Sequence, residues 1–199
     1  RSNVGVAVSD SPLGPFIDKG CLIDSKVIGV QNSIDQFFYE DNGKKYMFWG
    51  SFRGIYATEL TDNGLEIKKK TDGTPVLKKR ICGNRFEGTN IYKRGEYYYL
   101  FASIGTCCNG ATSTYQTVVG RSKNVLGPYL DKTGRDMLYD YCEIIMSGNE
   151  TWAGPGHNSI LIQDDVGTDW IIYHGYKKKE AENGRYVLTD NEGSGTREL

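Results

Sequence analysis

A single carboxylate, Glu87, stands at the head of a predicted strand pair in the segment FEGTNIYKRGEYYYLFAS. Strand patterning favours an apolar or hydroxyl residue at such a position, because an unpaired acid in a buried hairpin costs stability. Glu87 therefore either reaches solvent or is kept for chemistry, and the local pattern does not choose between the two. A tight turn at Arg94 and Gly95 is predicted to join the two strands.

Two further copies of this segment place other chemical groups at related positions. The run IDQFFYEDNGKKYMFWGS aligns on the first segment without a gap and puts Asp35 on Glu87 and Ser51 on Ser103. The run GHNSILIQDDVGTDWIIYHG aligns through the glycine of its turn, and His157 then lies two residues before the acid position. In a strand, a two-residue step keeps the same face, so the imidazole and the two acids are expected to face one region.

A second repeat supports the same architecture. The runs VGVAVSDSPLGPFIDK and VVGRSKNVLGPYLDK share a small-residue strand, a Leu-Gly-Pro-aromatic turn and an Asp-Lys pair. Together the repeats predict an all-β fold built from β-propeller blades. A sandwich would not repeat its sequence, and a parallel α/β fold would need helical periodicity between the strands.

The composition agrees with many short strands and excludes several functions. The chain has 14 Tyr and 7 Phe, which favour strands, and 25 Gly against 5 Pro, which favour tight turns. A net charge of -1 argues against nucleic-acid binding, and no apolar run approaches the roughly 18 residues of a membrane span. The five Cys are an odd number without metal-ligand spacing, so we expect buried free thiols, with neither a zinc site nor a disulfide framework.

The number of units is lower than a closed propeller needs. Two blades are predicted at about residues 34–80 and 86–142, and most of a third at about 156–190. We therefore expect residues 1–190 to form a partial propeller domain without its N-terminal and final blades. Residues 191–199 have no strand pattern and are expected to be disordered. Open sheet edges, self-association through them and a truncated chain are further expectations.

The aligned positions suggest glycoside hydrolysis. First strands of propeller blades line the central channel, so Asp35, Glu87 and His157 are expected to meet at one mouth. One carboxyl group can protonate the leaving oxygen while another activates water. Four aromatic residues near strand ends could stack on sugar faces, namely Trp49, Phe52, Tyr115 and Trp152. The alternative is that both acids are ordinary exposed residues at loop–strand junctions.

Several runs of the sequence resemble the family 43 glycoside hydrolases, and within them the arabinan-degrading enzymes. These runs are NSIDQFF, WGSFRGIYATEL, RFEGTNIYKRGEYYYLFASIGTCC, STYQTVVGRSK, LGPYLDKTGRDML and GPGHNSILIQDD. The resemblance implies a five-bladed β-propeller that hydrolyses arabinose- or xylose-containing polysaccharides with inversion. Three carboxylates serve as general base, as modulator of the acid and as general acid. It also implies a secreted or periplasmic enzyme, although the first residues of the chain are not a signal peptide.

The resemblance assigns roles residue by residue. Glu87 of FEGT is the general acid, and Asp35 of NSIDQ modulates the acid's protonation and orients substrate. The resemblance places His157 of GPGHN near the propeller axis, where it helps to hold one ion, often calcium, with water; no organic cofactor is expected. The runs that line the substrate cleft contain Asn32, Phe52, Cys107 and Tyr115. Gln36 replaces a proline common in relatives, which we interpret as a subgroup difference.

The general base is the main departure from the family pattern. The resemblance places it in a first blade that this sequence does not contain, so these residues alone are expected to turn over little substrate. Within the site, Asp35 and the apolar Phe86 are expected to favour the protonated form of Glu87. Rival hypotheses are a non-catalytic sugar-binding propeller and an exo-acting α-L-arabinofuranosidase or β-xylosidase of the same family.

Overall fold

Strands are the main regular structure of the described chain. The computed structural model describes residues 2–180 together with the short segments 186–188 and 197–198. Helical structure within those residues is confined to α1 (Ser25–Ile28) and two 3-10 turns (Gly110–Thr112 and Met137–Tyr139). None of these described helices has the length and apolar character to cross a membrane. The predicted all-β class is confirmed.

The strands fall into five sheets. In chain order they are β1 (Asn3–Val8), β2 (Ile17–Asp24), β3 (Phe37–Asp41), β4 (Lys44–Trp49), β5 (Ile55–Glu59), β6 (Lys78–Cys82), β7 (Glu87–Arg94), β8 (Tyr97–Ile104), β9 (Gln116–Ser122), β10 (Glu143–Met146), β11 (Trp152–Gly156), β12 (Ile162–Gln163), β13 (Asp169–Trp170), β14 (His174–Glu180), β15 (Tyr186–Leu188) and β16 (Arg197–Glu198). Strands β3 to β6 and β7 to β10 form two antiparallel four-stranded meanders, and β1–β2 and β12–β13 form two-stranded sheets. Strand β14 pairs with β11, β15 and β16.

The turns that follow the first strands of the two meanders differ in position by one residue in the repeat alignment. Strands β3 and β4 pair without a break around Asn42 and Gly43, whose φ angles of 50° and 74° suit a two-residue hairpin turn. Strands β7 and β8 have a register shift between Glu87 and Asn90, and their turn lies at Gly95 and Glu96. The predicted turn, which began at the residue before Gly95, was therefore wrong by one position, because an irregularity in one strand displaces the rest of its register.

The central sheet β3–β6 packs against a neighbour on each face. Alternation along β4 sends Phe48 into a core shared with the sheet β7–β10, which includes Phe86 and Leu100. The next residue, Trp49, points into a second core shared with the sheet β1–β2, which includes Ile23. The first three sheets of the chain therefore stack face to face in chain order.

The third repeat is shorter than predicted. The hairpin around Gly167 is present, but its strands β12 and β13 have only two residues each. Strand β11, which lies largely upstream of the predicted third copy, pairs with β14 instead. The apolar side chains of Ile162 and Trp170 are 50% and 57% exposed, so this hairpin has little to pack against. The tail predicted to be disordered lies outside the described residues except for β16.

Candidate active site

Glu87 is the buried acid at the centre of the site. It is the first residue of β7, opposite Ser103 of β8, and only 8% of it is exposed. The next residue, Gly88, has a φ of +62°, a conformation that favours glycine. Of the two possibilities left by the sequence, solvent exposure is therefore excluded for Glu87.

Hydroxyl groups hold both carboxyl oxygens of Glu87. Ser51, just beyond the end of β4, donates to Oε2 at 2.7 Å, and Tyr115, just before β9, donates to Oε1 at 2.5 Å. Within residues 2–180, no Lys, Arg or His forms an ion pair with Glu87. Because a hydroxyl group can donate or accept, the carboxyl group can keep both contacts with or without its proton.

Tyr115 lies beneath Glu87 and does not face an open cleft. Its side chain is 1% exposed. Burial, reinforced by the hydrogen bond to Glu87, raises the pKa of the Tyr115 hydroxyl far above its ordinary value, so the group stays neutral. The prediction that Tyr115 lines the substrate cleft was therefore wrong in its position, since a sealed phenol cannot stack on a sugar.

Asp35 lies beside the acid through the backbone. It precedes β3 by two residues, is half-buried, and its Oδ2 accepts the N–H of Gly88 at 3.1 Å. Burial raises the pKa of Asp35, the charge of His157 and the Gly88 hydrogen bond oppose that shift, and the charge of Glu87 adds to it. The structure thus brings the two predicted acids together, although only Glu87 lies within a strand.

Residues with positive φ surround these acids. Four of the predicted site residues have this conformation, with φ angles of 56° (Asn32), 54° (Asp35), 49° (Phe52) and 48° (His157). The described chain has only two other non-glycine residues of this kind, Asn42 and Asp140. Such conformations are uncommon and concentrate at functional sites, so their clustering supports a site here.

Asn32 and Phe52 bind the backbone around the acid. Asn32 donates from Nδ2 to the carbonyl oxygen of Ser51 at 2.9 Å, and the Phe52 N–H donates to the carbonyl oxygen of Phe86 at 2.9 Å. Asn32 is exposed and Phe52 is half-buried, so both retain surface that a ligand could contact. Their predicted position at the site is consistent with these contacts, and their predicted role in binding substrate stays a prediction.

His157 comes to the site from the end of β11. Its N–H donates to Ser103 Oγ at 2.7 Å. A Cβ added to Gly88 would lie 3.1 Å from the imidazole Cγ, which shows how closely the ring approaches β7. The His174 ring is stacked at a centroid distance of 6.1 Å. His157 thus joins the two acids, as predicted.

A small polar cavity opens between the three segments. It has a volume of about 210 Å³ and is lined by residues 35–37, 88–90 and 157–160. Three buried side-chain oxygens of its lining residues lack a hydrogen-bond partner: Thr89 Oγ1, Asn90 Oδ1 and Asn158 Oδ1. Both amide orientations are fixed, because Asn90 Nδ2 donates to the Asn158 carbonyl oxygen at 3.1 Å and Asn158 Nδ2 donates to the Ser159 carbonyl oxygen at 2.8 Å.

This donor set fits a hard cation better than a soft one. Calcium is bound by carbonyl, carboxylate and water oxygens, and the residues that line the cavity include Asp35 and three with an unpaired side-chain oxygen. Among the described residues, no group of three or more His, Cys, Asp or Glu side chains could hold a metal by itself. Any calcium ion here would therefore need further ligands, such as amide, backbone carbonyl or water oxygens.

Cys107 lies in the loop between β8 and Tyr115, and its predicted role in binding substrate stays a prediction. It forms a disulfide with Cys108, and its carbonyl oxygen accepts from Ser113 Oγ at 2.8 Å within the loop that leads to Tyr115. The expectation of buried free thiols was wrong for this pair, since a count of cysteines does not reveal a bond between neighbours. Of the three free thiols, only Cys82 is buried.

Two serines at the site were not predicted from the sequence, and Trp49, like Tyr115, was placed wrongly. Ser51 and Ser103 occupy the same position in the repeat alignment. Each forms a hydrogen bond with the next copy of the repeat, because Ser51 donates to the Glu87 side chain and Ser103 accepts the backbone N–H of His157. That coincidence was the available signal. Trp49 is fully buried, and its Nε1 donates to Ser33 Oγ at 3.1 Å. It therefore belongs to the core and cannot stack on a sugar.

Relatives with similar sequences act on arabinose-containing substrates, according to their names. The chain is 37% identical over 193 residues to an extracellular exo-alpha-(1->5)-L-arabinofuranosidase of Cellvibrio japonicus, covering 88% of this chain and 55% of that protein. It is 33% identical over 192 residues to an extracellular endo-alpha-(1->5)-L-arabinanase of Bacillus subtilis, covering 95% of this chain and 57% of that protein. The chain thus spans little more than half the length of these relatives.

Solved structures lead to the same family. The alpha-L-arabinanase of Cellvibrio cellulosa complexed with arabinohexaose matches with a TM-score of 0.72 and 32% identity, covering 92% of this chain and 67% of that one. An exo-1,5-alpha-L-arabinanase from a bovine ruminal metagenomic library matches with a TM-score of 0.73 and 31% identity, covering 94% and 69%. Residues 1–191 match the family model described as glycosyl hydrolases family 43, and the chain therefore belongs to that family.

Proposed function

We propose that this chain is the part of an inverting glycoside hydrolase that carries the general acid, Glu87, and that the enzyme cleaves α-L-arabinofuranosyl linkages in arabinan. One observation carries the proposal: Glu87 is buried, its side-chain partners among the described residues are hydroxyl groups, and it adjoins a glycine that binds Asp35. An acid that must lose and regain a proton needs partners that suit both states. Membership of family 43 supplies the class of reaction.

The proposed reaction is a displacement by water at the anomeric carbon. Glu87 gives its proton to the glycosidic oxygen as the bond from that oxygen to the anomeric carbon breaks. Water attacks the anomeric carbon from the opposite face and gives its proton to a general base. In inverting enzymes the acid and the base lie about 6.5 to 9.5 Å apart, which leaves room for this water. The base expected from the resemblance is not assigned to any of these residues.

Asp35 is proposed to serve Glu87 without touching the reacting bond. The N–H of Gly88 donates to its carboxylate, and its charge interacts with the charges of Glu87 and His157. A negative charge near the acid favours the protonated acid. Asn32 and Phe52, which keep exposed surface beside Ser51, are the proposed substrate contacts.

The substrate class rests on the relatives. One is named an arabinanase and another an arabinofuranosidase of the same (1->5) linkage, and one related structure is complexed with arabinohexaose. Exo action is the second candidate, favoured by the name of the relative that is 37% identical. The product profile on linear arabinan separates the two, because endo cleavage releases mixed oligosaccharides early and exo cleavage releases one short product. Relatives named extracellular support a secreted protein.

The stacked sheets are proposed to be propeller blades. Support comes from the two meanders packed face to face and from family 43 neighbours with TM-scores above 0.7. In this arrangement the segments that carry Asp35, Glu87 and His157 approach the axis together.

Calcium is proposed to bind in the polar cavity, facing His157 and the side-chain oxygens of Thr89, Asn90 and Asn158. The ion would supply positive charge next to Asp35. Isothermal calorimetry of the purified chain with calcium chloride tests this. Asn158→Ala should weaken binding, and an unchanged binding isotherm would contradict the assignment.

The activity itself is tested with linear arabinan. The chain is extended to the length of its relatives, release of reducing sugar is measured, and binding of arabino-oligosaccharides is followed by calorimetry. The proposal predicts both binding and turnover. Binding without turnover would identify a non-catalytic sugar-binding protein and reject the enzymatic proposal.

A further inference from the structure

We propose that Tyr115 is a positioning residue, which fixes the orientation from which Glu87 delivers its proton and does not contact the substrate. The inference rests on the proposed function and adds a residue role to it. It reassigns a residue that the sequence placed on the cleft wall.

The position of the phenol excludes a role in sugar binding. The side chain of Tyr115 is 1% exposed, and its hydroxyl group donates to Glu87 Oε1 at 2.5 Å. No sugar can reach a ring that is sealed from solvent. The one chemical group of Tyr115 is therefore directed at the acid.

Gly156 of β11 makes room for the ring. A Cβ added to Gly156 would lie 2.3 Å from Tyr115 Cδ1. Real carbon atoms do not approach to 2.3 Å, so only glycine at 156 admits the ring in this position. The ring cannot swing away without moving a strand.

The acid is held from both sides by a chain of hydrogen bonds across the sheets. On one side Tyr115 donates to Glu87 Oε1 at 2.5 Å. On the other side Ser51 donates to Glu87 Oε2 at 2.7 Å. With one partner on each oxygen, the carboxyl group cannot rotate freely. An orientation fixed by such a supporting contact is what efficient proton transfer requires.

The test is Tyr115→Phe, which keeps the ring and removes only the hydroxyl group. In the extended, arabinan-cleaving protein, we expect kcat on linear arabinan to fall about 10- to 100-fold, with KM unchanged within about twofold. On an arabino-oligosaccharide with a 4-nitrophenyl leaving group the loss should be much smaller, because that leaving group needs little protonation.

A matched control is Tyr129→Phe. Tyr129 is also fully buried and donates one hydrogen bond, to the Val125 carbonyl oxygen at 2.6 Å, but it has no contact with Glu87. Tyr129→Phe should lower Tm about as much as Tyr115→Phe does, and it should leave kcat unchanged on both substrates. Equal losses on the two substrates for Tyr115→Phe, or a raised KM with kcat retained, would overturn the inference.

Glu87→Gln separates this inference from the proposed function. Glu87→Gln should lose more activity on arabinan than on the nitrophenyl substrate, and this difference should be larger than for Tyr115→Phe. If Glu87→Gln loses no more on arabinan than on the nitrophenyl substrate, the role of Glu87 as acid fails. If Glu87→Gln shows the dependence and Tyr115→Phe does not, only the positioning role fails.

Discussion

Two buried carboxylates of this protein have opposite surroundings. Asp131, in the loop after β9, is 5% exposed and accepts the N–H groups of Thr133 and Arg135, the Thr133 hydroxyl and the Arg135 Nε, the last at 2.8 Å. Glu87 is 8% exposed and accepts two hydroxyl groups, with no ion pair to any described residue. Similar burial thus accompanies very different partners.

This difference distinguishes a carboxylate that stabilises the fold from a carboxyl group that can exchange a proton. Burial alone would raise the pKa of Asp131, but the Arg135 N–H, the Thr133 hydroxyl and the Arg135 guanidinium together hold that pKa well below its usual range. Asp131 is therefore locked in one charge state, and all of its partners are donors. Glu87 has partners that can turn to donate or accept, so a proton can leave and return without an unpaired group.

The largest expected effect is that of Glu87→Gln. Arabinan cleavage by the extended protein should fall at least about 100-fold, because general acid catalysis contributes about 10²- to 10⁴-fold. The Tm should change little, since the amide can accept from Tyr115 and donate to Ser51. Cleavage assays and thermal melts of the same preparations measure both, and near wild-type cleavage would sink the assignment.

Ser51→Ala is expected to have a smaller effect on the same acid. Removing one of its two hydroxyl partners should lower kcat on arabinan about tenfold. Ser122→Ala is the control, because Ser122 is similarly buried at 6% exposure and accepts only the Asn124 N–H. If both serine variants have equal kcat, the hydroxyl contact does not matter for chemistry.

Asp131→Asn should show the reverse pattern of Glu87→Gln. The amide cannot accept from all the donors of Thr133 and Arg135, so Tm should fall by several degrees. At temperatures well below Tm, kcat should equal that of the wild type. A loss of kcat in fully folded Asp131→Asn would remove the distinction between the two carboxylates.

A small effect on Tm that depends on pH is expected for Asp35→Asn. Burial raises the pKa of Asp35 in the folded protein, so the folded state holds this proton more tightly than the unfolded chain does. The charge at Asp35 then costs stability above the folded pKa. The cost disappears below the unfolded pKa, where both states are protonated. Asp35→Asn should therefore raise Tm slightly at about pH 7 and leave it unchanged at about pH 3. An equal shift at both values would contradict the burial effect.

The sequence predicted the groups that meet but not how they are held. Repeated hairpins were enough to align Asp35 with Glu87 and to bring His157 beside them, because all three residues lie at or near the end of a strand. The gapless alignment could not show the register shift after Glu87, which moves the turn by one residue. Such irregularities depend on pairing with the neighbouring strand, which a single segment does not encode.

Contacts between distant segments account for the rest. The partner of Glu87 is a tyrosine 28 residues away, and its orientation depends on Gly156 in another sheet. Aromatic residues near strand ends look alike in sequence, so Trp49, which fills a core, and Tyr115, which supports an acid, were both predicted to face sugar. Only packing distinguishes them.

The central claim is that this site breaks the glycosidic bond by a single displacement, with Glu87 as proton donor. The most direct test is a proton NMR time course of arabino-oligosaccharide hydrolysis by the extended protein, recorded before mutarotation mixes the anomers. The account predicts that the inverted β-anomer appears first. Early appearance of the retained α-anomer would contradict it.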